Sequence, residues 1–450
     1  MKKVFLSLFA VIMVMSLSAC GGNKAPASEG TTASTTEPTT ASTTEPTTAA
    51  TSEPKPDEPI ELVFQSWVTP NLTAEFYEGL IKKYEAANPG VTIKRIQPPA
   101  NEGNADNYLK TLLAAGDFPD IIQNATVKLF VDADAIMEIP INDKIKSVKN
   151  YETDFINGKL YNITSAGSQP QTLIFYNKKL FADAEITTLP KTWAELEEVA
   201  AKLKAKNITP LLTAGDWTAG FTFTALTSPA VFENNKTWYT DRYDGKTKFT
   251  DPDWIEATEY WNGLVTKGYF NKGALSIDYP AVEQEFLKGN GAMYPMGVWF
   301  TASEAAATKD FEVGVFAAPT KSGAQNILGG ENGGGVAISK KTKNPEAAVK
   351  FAEFLMLDRE SNKALLETDG LFSTMQEPVL WDMSPLQKEI SDLMLNNPPM
   401  VGFYNNKVGS VPVSGIQDQY NKVAQNILLG KADIKKELGS LDDYWEKNKK

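Results

Sequence analysis

The sequence predicts an α/β protein built as two lobes. Strand-like and helix-like patterns alternate from Ile60 onward, as they do where helices pack on sheets. Roughly 390 residues remain once the N-terminal stretch is set aside, too many for one ordinary core. A hydrophobic fraction of 42%, with 10% aromatics, supplies apolar surface for two.

The elements follow in order. Residues 61–67 (ELVFQSW) read as a strand. Phe76, Leu80, Ile81 and Tyr84 then recur at helical spacing, and Asn88-Pro89-Gly90 stops that helix. Residues 91–96 alternate as a second strand, so the unit is βαβ and the sheet is read as parallel. A helix over about 104–115 leads through AGDFPDII, where Gly116 and Pro119 turn the chain into a short buried strand. Residues 171–176 (QTLIFY) form another strand. Thr192-x-x-Glu195 is a capping box that opens a helix with Leu196, Val199, Ala200 and Leu203 on one face. Ala214-Gly215-Asp216-Trp217 reads as a loop. A helical region rich in Trp and Tyr covers 253–288, and GNGAMYPMGVWF gives a turn, an apolar strand and a Gly-Val-Trp exit. FEVGVF is a further strand. The glycine run 329–335 leads into strand VAIS, and Asn344-Pro345 starts a helix that buries Phe351, Phe354 and Leu355. Trp238, Trp254 and Trp261 read as helix-packing residues.

Ahead of this lies a different chemistry. Lys2-Lys3, an apolar run over 4–17 and small residues before Cys20 make a secretory signal, too short to span a membrane. Residues 21–59 are Thr, Ser, Ala, Pro and Glu, with near-copies of one octad at Thr31, Thr39 and Thr47. They offer nothing to bury and are expected to be a disordered tether with a reach on the order of 100 Å.

Composition excludes much. A net charge of −12 repels nucleic acid and anionic headgroups. With no histidine, imidazole relays, Ser-His-Asp triads and His-ligated metals are out. With Cys20 the only cysteine, thiol nucleophiles and Cys-ligated zinc are out too. GGENGGG is no phosphate loop, because it enters a strand instead of a helix N-terminus. Asp241-x-x-Asp244-Gly245 lacks the spacing and the twelfth-position Glu of an EF-hand. No cofactor and no metal are expected.

LVFQSW, NPGVTI, LLAAGDFPDII, LIFYNKKLF with PKTWAEL, FLKGNGAMYPMGVW and GGGVAISKKTKNPEAAVKFAEFL occur in that order across about 61–355. Together they resemble the bacterial extracellular solute-binding proteins of carbohydrate ABC transporters, the maltose-binding-protein-like group. Leu17-Ser18-Ala19-Cys20 likewise resembles a lipobox, in which Cys20 becomes the lipidated first residue. The resemblance implies a periplasmic-binding-protein-like fold: two lobes, each a mixed, mostly parallel sheet flanked by helices, hinge strands between them and the ligand in the cleft. It implies crossings near 166–171, 317–319 and 358–370. The expected division is a signal over 1–20, a tether over 21–59, an N-terminal lobe of 60–168 plus 319–360 and a C-terminal lobe of 169–318 plus 361–450. The implied partners are a carbohydrate, permease subunits and the membrane through the Cys20 lipid. The protein is expected to be a monomer on the extracellular face of the cytoplasmic membrane.

Sugars are held by aromatic faces and planar polar groups, and ligands of open α/β sheets lie beyond the carboxyl ends of strands. On that basis Trp67, Asp216, Trp217 and Tyr404 (with Phe403) are candidates, with packing as the alternative for each aromatic. Trp299 is singled out by the family's strand-end Gly-x-Trp, and Asp120 by its turn. Glu331 and Asn332 stand among glycines that permit close approach. Asn101, Glu102, Gln123 and Asn124 rank behind them. A secreted carbohydrate-active enzyme with two carboxylates is the competing reading, and a surface adhesion protein a third.

Overall fold

The computed structural model describes residues 59–99, 105–330, 332, 334–401, 413 and 415–449. The signal, Cys20, the tether, Asn101, Glu102, Glu331, Phe403 and Tyr404 lie outside them.

The twelve strands among the described residues are β1 (Ile60–Gln65), β2 (Val91–Ile96), β3 (Ile121–Gln123), β4 (Ile163–Thr164), β5 (Gly167–Pro170), β6 (Leu173–Asn177), β7 (Met293–Met296), β8 (Val313–Ala317), β9 (Leu328–Gly330), β10 (Gly335–Ile338), β11 (Phe372–Ser373) and β12 (Met400–Val401). They form three sheets ordered β2-β1-β3-β10-β4, β11-β5-β9-β12 and β7-β6-β8.

The first sheet begins with the βαβ unit expected from the sequence. β1 and β2 are parallel, with Ile60 opposite Val91 and Gln65 opposite Ile96. The connecting helix Ala74–Ala87 is capped by the Thr73 hydroxyl, and Gly90, at φ +93°, turns the chain back. Its buried face is Tyr77, Leu80, Ile81 and Tyr84. Tyr77 therefore takes the place the spacing gave to Phe76. Helix Pro345–Leu357 covers the same sheet and buries Phe351 and Leu355 against Phe64 and Leu62. Asn344 precedes that helix, but its side chain makes no cap bond.

The third sheet differs from the expected direction. β6 is antiparallel to both β7 and β8. The chain enters this lobe on β6 and leaves it on β8, and two neighbouring strands traversed in opposite senses must be antiparallel. β10 re-enters the first sheet for the same reason, antiparallel to β3 and β4. Parallel neighbours of the third sheet are reduced to single bridges, Leu211 to Met293 and to Phe270.

The middle sheet is built of short strands, with β5 antiparallel to β9 and β11. Gly329 lies so close to β5 that a Cβ there would stand 2.1 Å from the Gln169 carbonyl oxygen, and one at Gly335 would stand 2.1 Å from that of Ile163. These glycines thus serve strand-to-strand approach and not the ligand approach expected of them.

The C-terminal lobe is organised by helix Trp217–Asn234, whose residues from Thr218 to Phe232 are all buried. Thr224, Thr227 and Ser228 bond the carbonyls one turn earlier, so their hydroxyls are satisfied inside the core. Trp254, Trp261, Tyr420 and Trp445 pack around it. No described helix is long and apolar enough to cross a membrane.

Candidate functional site

At the carboxyl ends of β1 and β3, two buried glutamines clasp each other's strands. Gln65 Oε1 accepts from the Gln123 amide at 3.0 Å, and Gln123 Oε1 accepts from the Trp67 amide at 2.9 Å. This fixes the exit of β1. The Trp67 indole is half-buried and packs against the cluster of Ala105, Leu109, Ile122 and Phe130. Beneath this edge lies Tyr77. Burial pushes its hydroxyl well above the usual range, the Gln123 side chain opposes that, and the Asp369 carboxylate adds to it.

In the other lobe, Asp216 caps helix Trp217–Asn234. Its Oδ1 accepts from the Thr218 amide at 3.0 Å and from the Thr218 hydroxyl at 2.5 Å, and its Oδ2 accepts from the Tyr279 amide at 2.7 Å. One carboxylate thus ties the start of that helix to the start of helix Tyr279–Leu287. Trp217 and Tyr279 are brought together, with ring centroids 4.9 Å apart. Trp299 completes an aromatic corner, 6.4 Å from Trp217 at 52° and edge-on to Phe221 at 5.5 Å. Its indole folds back over Gly297, where a Cβ would stand 2.2 Å from ring carbon Cζ3. Trp217 and Trp299 both remain half-buried.

Asn71, in the loop after β1, reaches across. Its Nδ2 donates to the Trp299 carbonyl at 2.9 Å and to Asp369 Oδ1 at 3.2 Å, while its Oδ1 accepts from the Ser303 hydroxyl at 3.1 Å. Ser303 stands between Asn71 and the buried Glu283, which also accepts from the Tyr279 hydroxyl at 3.0 Å. Burial raises the Glu283 carboxyl against both of those hydroxyl contacts. Asp369 is held in place by Gly370, at φ +65°, where a Cβ would meet the Thr301 hydroxyl at 2.3 Å. It retains partial solvent exposure in a crowded setting, and burial lifts its carboxyl to about 7, with only the Asn71 bond opposing.

Of the residues singled out in the sequence, Trp217 and Trp299 are brought together, with Asp216 at their base, and Trp67 packs in a separate cluster. For three of them the structure shows where their polar atoms go. The Asp216 carboxylate caps two helix starts and so positions the rings. Asp120 lies at the amino end of β3, opposite the carboxyl end, and its Oδ2 accepts from the Val63 amide at 2.8 Å. Asn332 is buried, donating to the Lys149 carbonyl at 3.1 Å and accepting from the Thr374 hydroxyl at 2.6 Å. Asn71, Tyr279 and Asp369 were missed. Asn71 lies four residues past Trp67 in a strand-end loop, and the rule that selected Trp67 could have selected it.

Comparison with known proteins is consistent across methods. The family described as bacterial extracellular solute-binding protein matches residues 69–360. The sn-glycerol-3-phosphate-binding periplasmic protein UgpB of Escherichia coli (strain K12) is 24% identical over 367 residues, 74% of this chain and 81% of that protein. Among solved structures, a chitin oligosaccharide binding protein superposes with a TM-score of 0.74 at 25% identity, covering 87% of this chain and 99% of that one. RafE in complex with raffinose gives 0.69 at 20% identity, covering 87% and 100%.

Proposed function

Because the chain belongs to the bacterial extracellular solute-binding protein family, we propose that it is a receptor that closes two lobes on an oligosaccharide and delivers it to the permease subunits of an ABC transporter. The observation that carries the sugar reading is the corner of Trp217 and Trp299 beside Asn71 and Asp369. Indole faces suit the C–H side of a pyranose, and the adjoining amide and carboxylate suit its hydroxyls. The chitin oligosaccharide and raffinose named for two structural neighbours support the same ligand class. Trp67 is proposed to meet the sugar from the opposite lobe. Tyr404 and Glu331 remain proposals made from the sequence.

Catalysis is not part of this reading. The family is one of binding proteins, and beside the aromatic corner Asp216 is engaged in capping and Glu283 in a buried bond to Tyr279, which leaves Asp369 without a second open carboxylate as partner. We take the lobes as 60–168 plus 319–360 and 169–318 plus 361–450, joined through β5, β9 and β11. The protein acts as a monomer, held to the outer face of the cytoplasmic membrane by a lipid on Cys20 and ranging on its tether.

Calorimetry and tryptophan fluorescence against a panel of neutral oligosaccharides, with product analysis, test the proposal. Saturable binding without turnover is expected. Release of monosaccharide would sink the receptor in favour of a hydrolase.

A further inference from the structure

We propose that Asp369 sets the charge class of the ligand, admitting hydroxyl- or amine-bearing sugars beside Trp299 and turning away phosphorylated or carboxylated ones. This rests on the receptor reading above. The carboxylate is bonded on one side only: Oδ1 accepts from Asn71 at 3.2 Å, and among the described residues Oδ2 has no hydrogen-bond partner. The same Asn71 amide holds the Trp299 carbonyl at 2.9 Å, so one side chain ties Asp369 to the backbone that carries the half-buried indole.

The nearby charges are mostly acidic, and Arg95, which also acts on Tyr77, is already paired with Glu78 at 2.8 Å. Tyr77, from the first lobe, and Tyr279, from the second, both feel the Asp369 charge. Glu283 and Asp216 both act on Tyr294 from behind the same corner. No lysine or arginine among the described residues is paired with Asp369, Glu283 or Asp216. Burial lifts the Asp369 carboxyl to about 7, as expected of an acid with no cation beside it.

The consequences for a ligand follow from charge. A sugar hydroxyl donating to Oδ2 makes a charge-assisted bond. An ammonium group does the same and also faces the Trp217 and Trp299 rings. A phosphate or uronate meets the Asp369 carboxylate, and the Arg95 guanidinium is already engaged by Glu78, Ser66 and Gln97. The similarity to a glycerol-phosphate-binding relative therefore does not extend to the ligand's charge.

The test measures fluorescence and calorimetric titration at pH 8, where Asp369 is ionised, of chitotriose, raffinose and xylotriose as neutral probes. A deacetylated chitosan trimer serves as the cationic probe, and trigalacturonate and sn-glycerol 3-phosphate as the anionic ones. Wild type is compared with Asp369→Asn, which keeps an acceptor for Asn71, and with Asp369→Glu, which keeps the charge. Wild type is expected to bind at least one neutral or cationic probe and neither anionic one. Asp369→Asn should weaken that binding by about tenfold or more and narrow the gap between neutral and anionic probes. Asp369→Glu should preserve the exclusion. A neutral probe bound equally by wild type and Asp369→Asn, with unchanged exclusion of anions, overturns the role of Asp369 while leaving the receptor intact. Preferential binding of an anionic probe by wild type overturns the charge filter directly. If none of the six probes binds, the sugar-receptor reading fails, and the filter fails with it.

Discussion

Replacing Asp369 by asparagine should stabilise the unliganded protein, and more at pH 8 than at pH 5. The carboxyl is lifted from its ordinary 3.8 to about 7 in the folded chain, mainly by burial. Between those values the folded state holds a proton that the unfolded chain has released. Stability associated with this group is therefore complete below 3.8 and is lost as the pH rises through about 7. Each pH unit in that window removes about 1.4 kcal/mol. From pH 5 to the upper edge is about two units, so wild type loses about 2–3 kcal/mol from this site that the variant does not. The side-chain amide of the variant still offers a carbonyl to Asn71 Nδ2, so the cross-lobe bond of 3.2 Å is kept. Urea unfolding followed by tryptophan fluorescence, for both proteins at both pH values, measures the difference between their stabilities. Titrations elsewhere in the chain are common to the two and cancel. An advantage for Asp369→Asn that is the same at pH 5 and pH 8, or smaller at pH 8, would refute the reasoning.

Three further outcomes are expected. Trp299→Ala should weaken binding of the oligosaccharide by about 2–4 kcal/mol with the fold intact, and unchanged affinity by calorimetry would mean the indole only packs. Gly297→Ala should reduce affinity without touching a ligand group, since its new methyl collides with the Trp299 ring at 2.2 Å; a crystal structure showing Trp299 unmoved would contradict this. Asn71→Ala removes three hydrogen bonds, to Trp299, Asp369 and Ser303, each worth about 1 kcal/mol and, on the proposed division, crossing between lobes. Small-angle scattering should show a larger radius of gyration for the unliganded variant than for unliganded wild type, and equal radii would deny Asn71 a part in holding the lobes.

How much could be read beforehand depended on whether the physics was local. The βαβ start, the Thr192 capping box and the strand of Met293–Met296 announce themselves in a few consecutive residues, and the structure has each of them. Helix Trp217–Asn234 did not. Buried on every side from Thr218 to Phe232, it has no polar face, hence no period to detect, and its threonines and Pro229 give no helix signal. The antiparallel third sheet was equally hidden, because strand direction follows from where the chain crosses between lobes. In the site, aromatic residues at strand ends were legible by type, and Trp217 with Trp299 met as neighbours. Carboxylates were not, since an aspartate before a helix looks the same whether it caps, as Asp216 does, or faces a cleft.

The pairing of Asn71 with Asp369 shows why the polar half of such a site escapes a linear reading. The two side chains are 298 positions apart, one in the loop after β1 and the other at the end of helix Arg359–Thr368. Neither has a pattern of its own. Their meaning comes from Trp299, whose carbonyl Asn71 holds while the indole stays half-buried. A ligand that takes the open Asp369 oxygen competes for charge with the same Asn71 amide that spans the lobes. Recognition and lobe position are thereby linked through one side chain. Asn71→Ala should then lose ligand affinity and lobe restraint together, whereas Trp299→Ala should lose affinity alone. Scattering and calorimetry on the two variants separate these cases: an Asn71→Ala protein with altered affinity but an unaltered envelope would break the link.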